Sequence, residues 1–261
     1  MTNFKDTYRT LSVAICIALA VSVACTALMF FFGVRDDIYA PPSDQPTDAP
    51  EQFEPTLKET IDYGDIYLSH MVIFCDSTLS GIKNSNVLKD NSVIVTGKDG
   101  DMPLDFNCAS VETDQSYNEN KALSITDIAT NQTPKYMLIS IGLKNGVEHC
   151  SEEKFKQYYQ KLIDTVSAAS PSTNIILASI LPTSKEVSKN TPAVSIDKID
   201  RANEWIYELA TSNSLRYLNV AEVFKDDKGY LSPEYDGGDG IHLNDNAYAL
   251  YIEYVKTHGY K

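Results

Sequence analysis

Five short apolar runs set the strongest limit on what this chain can fold into. They are Met71–Phe74, Val93–Val95, Met137–Ile141, Ile175–Ile180 and Leu215–Val220, all rich in β-branched or long aliphatic residues. Runs this brief and this uniformly apolar are expected of strands buried on both faces. Between and after them the apolar period changes. Phe155, Tyr158, Tyr159, Leu162, Ile163 and Val166 keep helical spacing, as do Ile199, Ala202, Trp205, Ile206 and Leu209, and then Ala247, Leu250, Tyr251 and Tyr254. These aromatic stripes read as core packing. Strands alternating with helices predict an α/β fold, a parallel sheet of about five strands with helices on both faces and a site beyond the carboxyl ends of the strands.

The chain has 261 residues, 43% of them hydrophobic and 10% aromatic, enough for one globular domain with appendages. Its formal net charge is −14. Lys5, Arg9 and Arg35 against Asp6 leave the first 35 residues at +2, so the remainder carries −16. A nucleic-acid partner is excluded, because phosphate binding needs a basic face. Cys16 and Cys25 fall in the apolar N-terminal stretch, and Cys75, Cys108 and Cys150 follow it, with no zinc or CxxC spacing. Free, buried thiols are the expectation for the last three, although Cys108 and Cys150 leave one disulfide open.

From Leu11 to Val34 there is no charged residue, and such a stretch can cross a hydrocarbon core of roughly 30 Å as a helix. A signal peptide has a shorter apolar region and a small-residue cleavage site, whereas here the run continues through Met29-Phe30-Phe31-Phe32. An uncleaved anchor is therefore expected. Lys5 and Arg9 before it place residues 1–10 in the cytoplasm and the rest outside, a single-pass cell-membrane protein with an extracytoplasmic domain. Residues 35–60 are rich in proline and acids and read as an extended spacer, which leaves 61–261 as the folded domain.

Ser77 follows the first apolar run in Phe74-Cys75-Asp76-Ser77-Thr78, where a turn brings its hydroxyl to the carboxyl edge of the sheet. A serine alcohol needs a base to become a nucleophile. Of four histidines, His70 lies at the start of a strand, His149 in a charged segment and His258 beside the C-terminus. His242 lies in Gly238-Asp239-Gly240-Ile241-His242-Leu243-Asn244. An aspartate three residues before a histidine on a tight turn can hold the imidazole by its Nδ1 proton and leave Nε2 for the serine. Asn244 or Asp245 also reads as the cap of the last helix, and the two readings are compatible.

In their order these residues resemble the SGNH, or GDSL-like, hydrolases, over roughly residues 63–256. Cys75-Asp76-Ser77 stands where that family has Gly-Asp-Ser, with cysteine in place of glycine and read as packing. Gly97-Lys-Asp-Gly100-Asp101 is similar to the family's Gly-x-Ser-Gly-Asp, and Ile141-Gly142-Leu143-Lys144-Asn145-Gly146 to its Gly-x-Asn-Asp with one residue more. Asp239-x-x-His242 before a helix matches without a gap. The resemblance implies a three-layer α/β/α sandwich of flavodoxin-like strand order. It also implies ester hydrolysis through an acyl-enzyme, with Ser77 as nucleophile, His242 as base and Asp239 as its orienter. The oxyanion donors it implies are the N–H groups of Gly100 (Gly97 as substitute) and Ser77 and the amide of Asn145. No metal or organic cofactor is required.

Location outside a membrane points to a cell-surface or cell-wall carbohydrate as partner, and to removal of its O-acetyl groups. A lipase or thioesterase, an O-acyltransferase of the same fold and a glycan-binding domain without activity are the alternatives.

Overall fold

The computed structural model describes residues 53–88, 94–118 and 121–260. The expected anchor (11–34), the leading residues 1–10 and most of the spacer lie outside the described residues. Among the described residues no helix is long and apolar enough to cross a membrane.

The strands are β1 (Met71–Cys75), β2 (Ile94–Val95), β3 (Glu112–Asn118), β4 (Lys121–Ser124), β5 (Tyr136–Ser140), β6 (Asn174–Ala178) and β7 (Arg216–Leu218). Five of them form one sheet in the order β2-β1-β5-β6-β7, with every pairing parallel. This is the flavodoxin-like order, which reverses between β1 and β5. The crevice outside the carboxyl ends at such a reversal is where α/β sheets bind ligands.

Strand burial alternates between two cores. Val72 and Phe74 of β1, Met137 and Ile139 of β5 and Ile175 and Leu177 of β6 belong to one. Met71, Ile73 and Cys75, then Leu138, then Ile176 and Ala178, belong to the other. The first core is covered by the helices α3 (Ile125–Gln132), α4 (Glu152–Ala169) and α6 (Ile196–Ser212), and the second by α1 (Gly64–Ser69) and α7 (Asp245–Thr257). Two short helices, α2 (Ser77–Ser80) and α5 (Lys185–Asn190), sit in the loops after β1 and β6. Helix α4 buries Phe155, Tyr159, Leu162, Ile163 and Val166, the one-sided stripe its period demands.

Two features depart from expectation. Pro55–Leu57, read as spacer, run along β7, with the Leu57 N–H donating to Tyr217 O at 2.8 Å and the Tyr217 N–H to Pro55 O at 2.9 Å. Backbone pairing needs no run of apolar side chains, so composition did not show it. The antiparallel pair β3 and β4 was not expected either. Its first strand, Glu-Thr-Asp-Gln-Ser-Tyr-Asn, is polar, and it is held by local bonds such as Thr113 Oγ1 to Leu123 O at 2.6 Å.

Candidate active site

β1 and β5 pair in register from Met71 with Tyr136 to Cys75 with Ser140, so the turns that follow them start side by side. The link between the turns is Asp76. It is 2% exposed, and its Oδ1 accepts the Thr78 N–H at 3.1 Å and the Thr78 hydroxyl at 2.6 Å. Its Oδ2 accepts the N–H groups of Gly142 and Leu143 at 3.2 and 3.3 Å. Asp76 thus caps α2 and ties the serine turn to the loop after β5. Desolvation raises its pKa, against the opposing pull of these four donors.

Ser77 is the first residue of α2, half-buried at the carboxyl edge. Among the described residues its hydroxyl has no hydrogen-bond partner. Cys75 is the last residue of β1, fully buried, and does not adopt positive φ. The turn therefore does not need a glycine there. Burial, with the Asp76 charge beside it, pushes the Cys75 thiol well above its ordinary pKa, which leaves it a protonated packing group and no nucleophile. Cys75→Ala is expected to keep kcat within about threefold and to lose about 1 kcal/mol of stability through lost packing, checked by steady-state kinetics and thermal melting.

Asp239 and His242 lie between β7 and α7, on the same edge. The His242 Nδ1–H donates to Asp239 Oδ2 at 2.6 Å, while Asp239 Oδ1 accepts the N–H groups of Ile241 at 2.9 Å and His242 at 2.8 Å. The turn is braced from both sides. Asp236 Oδ1 accepts from Gly238 and Gly240 N–H at 2.7 and 2.9 Å, and Ser184 N–H donates to Gly240 O at 2.8 Å. Gly240 has φ +78°, and a Cβ there would lie 2.2 Å from Ser184 Oγ, so both backbone and space require glycine. Asn244 caps α7 by accepting the Ala247 N–H at 3.0 Å, so the helix cap and the Asp-His turn coexist. His242 Nε2 has no partner among the described residues.

Desolvation would raise the Asp239 carboxyl, but the backbone N–H and imidazole of His242, the Ile241 N–H and the ring charge outweigh it and lower it to about 2. Because the folded value lies below the unfolded one, this carboxylate stabilises the turn above the unfolded pKa, and that contribution is lost as pH falls through 2. Carboxyl carbon NMR should show Asp239 titrating near 2. A fall in activity well above pH 2 would then not be caused by protonation of Asp239.

The serine turn and the histidine turn meet through α7. A Cβ on Gly81, one residue past α2, would lie 2.2 Å from Tyr248 Oη, and Leu79, Leu243, Ala247 and Tyr248 share one core cluster. Burial, with Asp245 and other acidic groups nearby, raises the Tyr248 phenol.

The expected oxyanion donors fare unequally. The Gly100 N–H donates to Gly97 O at 2.8 Å. In this conformation it closes its own turn. A Cβ on Gly97 would lie 1.8 Å from Asp101 O, so this glycine permits the turn to close. Asn145 follows β5 as expected, and its Nδ2 donates to Leu104 O at 2.9 Å, which leaves the second amide proton. Its backbone, at φ 62° and ψ −37°, is in a region non-glycine residues avoid. Strain of this kind is retained where the surroundings impose it, commonly at functional sites.

Cys108 is buried and Cys150 only half-buried, and both are free thiols. Among the described residues no group of histidines, cysteines and carboxylates is arranged to hold a metal ion.

The sequence model of the GDSL-like lipase/acylhydrolase family matches residues 91–250, more than half of the chain. The protein belongs to this family. As a GDSL-like acylhydrolase it is a serine ester hydrolase. The match holds Gly100, Asn145, Asp239 and His242, while Ser77 precedes it, two residues after the Cys75–Ser140 pair that ends the register of β1 on β5. Among curated proteins no sequence matches the chain. A solved structure from Streptococcus pneumonia, named for platelet activating factor, shares the fold of this acylhydrolase at a TM-score of 0.51 and 19% identity, over 72% of this chain and 82% of that one. A GDSL-like lipase from Bacteroides thetaiotaomicron aligns at 0.49 with 18% identity, over 70% of this chain and 83% of that one.

Proposed function

We propose that this acylhydrolase is a membrane-tethered, extracytoplasmic esterase that removes O-acetyl groups from a cell-surface or cell-wall carbohydrate, with Ser77, His242 and Asp239 as its triad. The observation that carries the reading is the 2.6 Å Asp239–His242 contact on a braced turn at the sheet edge from which Ser77 emerges. Ser77 Oγ attacks the ester carbonyl while His242 Nε2 takes the hydroxyl proton. The tetrahedral oxyanion is bound by the Asn145 amide and the Ser77 N–H. Collapse breaks the bond to the sugar oxygen, which leaves with the proton from His242. Water, activated by the same imidazole, then releases acetate and restores the serine. Asp239 stays ionised and orients the ring.

The membrane tether and outward orientation rest on the uncharged stretch Leu11–Val34 and the cations before it. Acetyl as the acyl group rests on the glycans that a tethered domain meets there.

The experiment is an acyl-chain series of chromogenic esters with the full-length protein, followed by acetylated cell-wall glycan with released acetate measured. The reading expects acetyl esters to be cut fastest and free acetate to appear. Faster cleavage of long-chain esters would make it a lipase or thioesterase, and acetyl passing to an added glycan would make it an acyltransferase. Absence of turnover on every ester would leave glycan binding as the function.

A further inference from the structure

The sheet order β2-β1-β5 means that the loops after β2 and β5 flank the loop that carries Ser77. A charged pair joins those two outer loops. The Lys144 ammonium donates to Asp101 Oδ2, so the contact spans the end of the strand between them. Two backbone links run alongside it. The Leu104 N–H donates to Lys144 O at 3.3 Å, and Asn145 Nδ2 returns to Leu104 O at 2.9 Å. Lys144 is also the position at which this chain has one residue more between Gly142 and Asn145 than its family's Gly-x-Asn.

We infer that the Lys144–Asp101 pair is a clamp that positions the Asn145 amide toward the ester oxygen, an inference that rests on the triad reading above. The extra residue lengthens the loop, and a longer loop does not by itself aim Asn145. Asn145 instead sits at φ 62° and ψ −37°, a conformation that persists only when neighbours impose it. The neighbours that impose it are Glu148, whose Oε2 accepts the Asn145 N–H at 3.0 Å, and the strand of backbone from Asp101 to Leu104. Asp101 Oδ1 is shut off from solvent with no partner among the described residues. Its other oxygen meets Lys144 in a partly exposed pair, so the contact acts by joining the two loops and holding the Asp101–Leu104 backbone against Asn145. Lys144 acts through Asn145 and is a positioning residue.

The test compares the full-length protein with Lys144→Met, Lys144→Arg and Asp101→Asn, reading amide hydrogen exchange at Leu104 together with kcat and KM for a chromogenic acetyl ester. Lys144→Met is expected to lower kcat by about 10- to 100-fold with KM within about threefold, and to speed exchange at Leu104 by about tenfold. Asp101→Asn shifts both in the same direction. Lys144→Arg keeps the charge and recovers most of both. Unchanged exchange at Leu104 in Lys144→Met, or an arginine variant as impaired as the methionine one, would overturn the clamp. Exchange is read without turnover, so failure of the clamp and failure of the triad are told apart.

Discussion

Replacing Ser77 by alanine is expected to lower kcat on an acetyl ester by about 10⁴- to 10⁶-fold while leaving KM within a few-fold. The alanine removes only the attacking oxygen, which in the free protein has no hydrogen bond among the described residues, so the fold and the binding surface lose nothing. His242→Ala is expected to fall as far, and the double variant hardly further, because nucleophile and base act as one unit and their losses do not add. Circular dichroism and thermal melting of both variants should superimpose on the wild type. A Ser77→Ala protein within tenfold of wild-type kcat would remove Ser77 from the mechanism.

The second large effect is on stability. Asp76→Ala leaves four donors, the Thr78 N–H and hydroxyl and the N–H groups of Gly142 and Leu143, without an acceptor in a site closed to water. Each buried unsatisfied group costs about 1–3 kcal/mol. Part of this is relieved by relaxation, and a net loss of about 3–5 kcal/mol is expected, close to that for breaking a buried charged contact. In a domain of this size it lowers Tm by roughly 10 °C. Activity should fall too, since the serine turn and the loop carrying Asn145 lose their common tie. Asp76→Asn is the sharper comparison. It keeps one carbonyl oxygen but turns an NH₂ toward donors on the other side, so it should rescue part of the loss.

The parallel sheet was readable because strands buried on both faces produce compact apolar runs, and all five runs became strands of one sheet. The helices at 152–169, 196–212 and 245–257 were readable from one-sided burial. What was hidden is held by backbone and polar contacts. β3 is polar throughout, Pro55–Leu57 pair with β7 by main chain, and α3 is short. A signal for α3 was present in Ser124-x-x-Asp127, a capping box in which Asp127 N–H donates to Ser124 Oγ at 3.1 Å and Ser124 N–H to Asp127 Oδ2 at 2.9 Å.

In the site, the Asp239–His242 pair was legible because a local i, i+3 contact needs no knowledge of the fold. Cys75 in place of glycine carried less weight than the motif suggested, because the last residue of an extended strand has ordinary φ. Gly100 lies in the loop where the motif puts it. Its presence in the expected loop said nothing about where its N–H points, and that N–H closes a turn onto Gly97. The part played by Asp76 was invisible, since two of its four donors lie 66 and 67 residues away. Only the register of β1 on β5 brings them together.

The claim at the centre of this account is that His242 activates Ser77 for acyl transfer. The direct measurement is covalent labelling of the full-length protein with an organophosphonate ester, located by peptide mass spectrometry. The account predicts one equivalent of label on Ser77 in the wild type and at least about 100-fold slower labelling in His242→Ala. Label on a different residue, or equally fast labelling without His242, would contradict it.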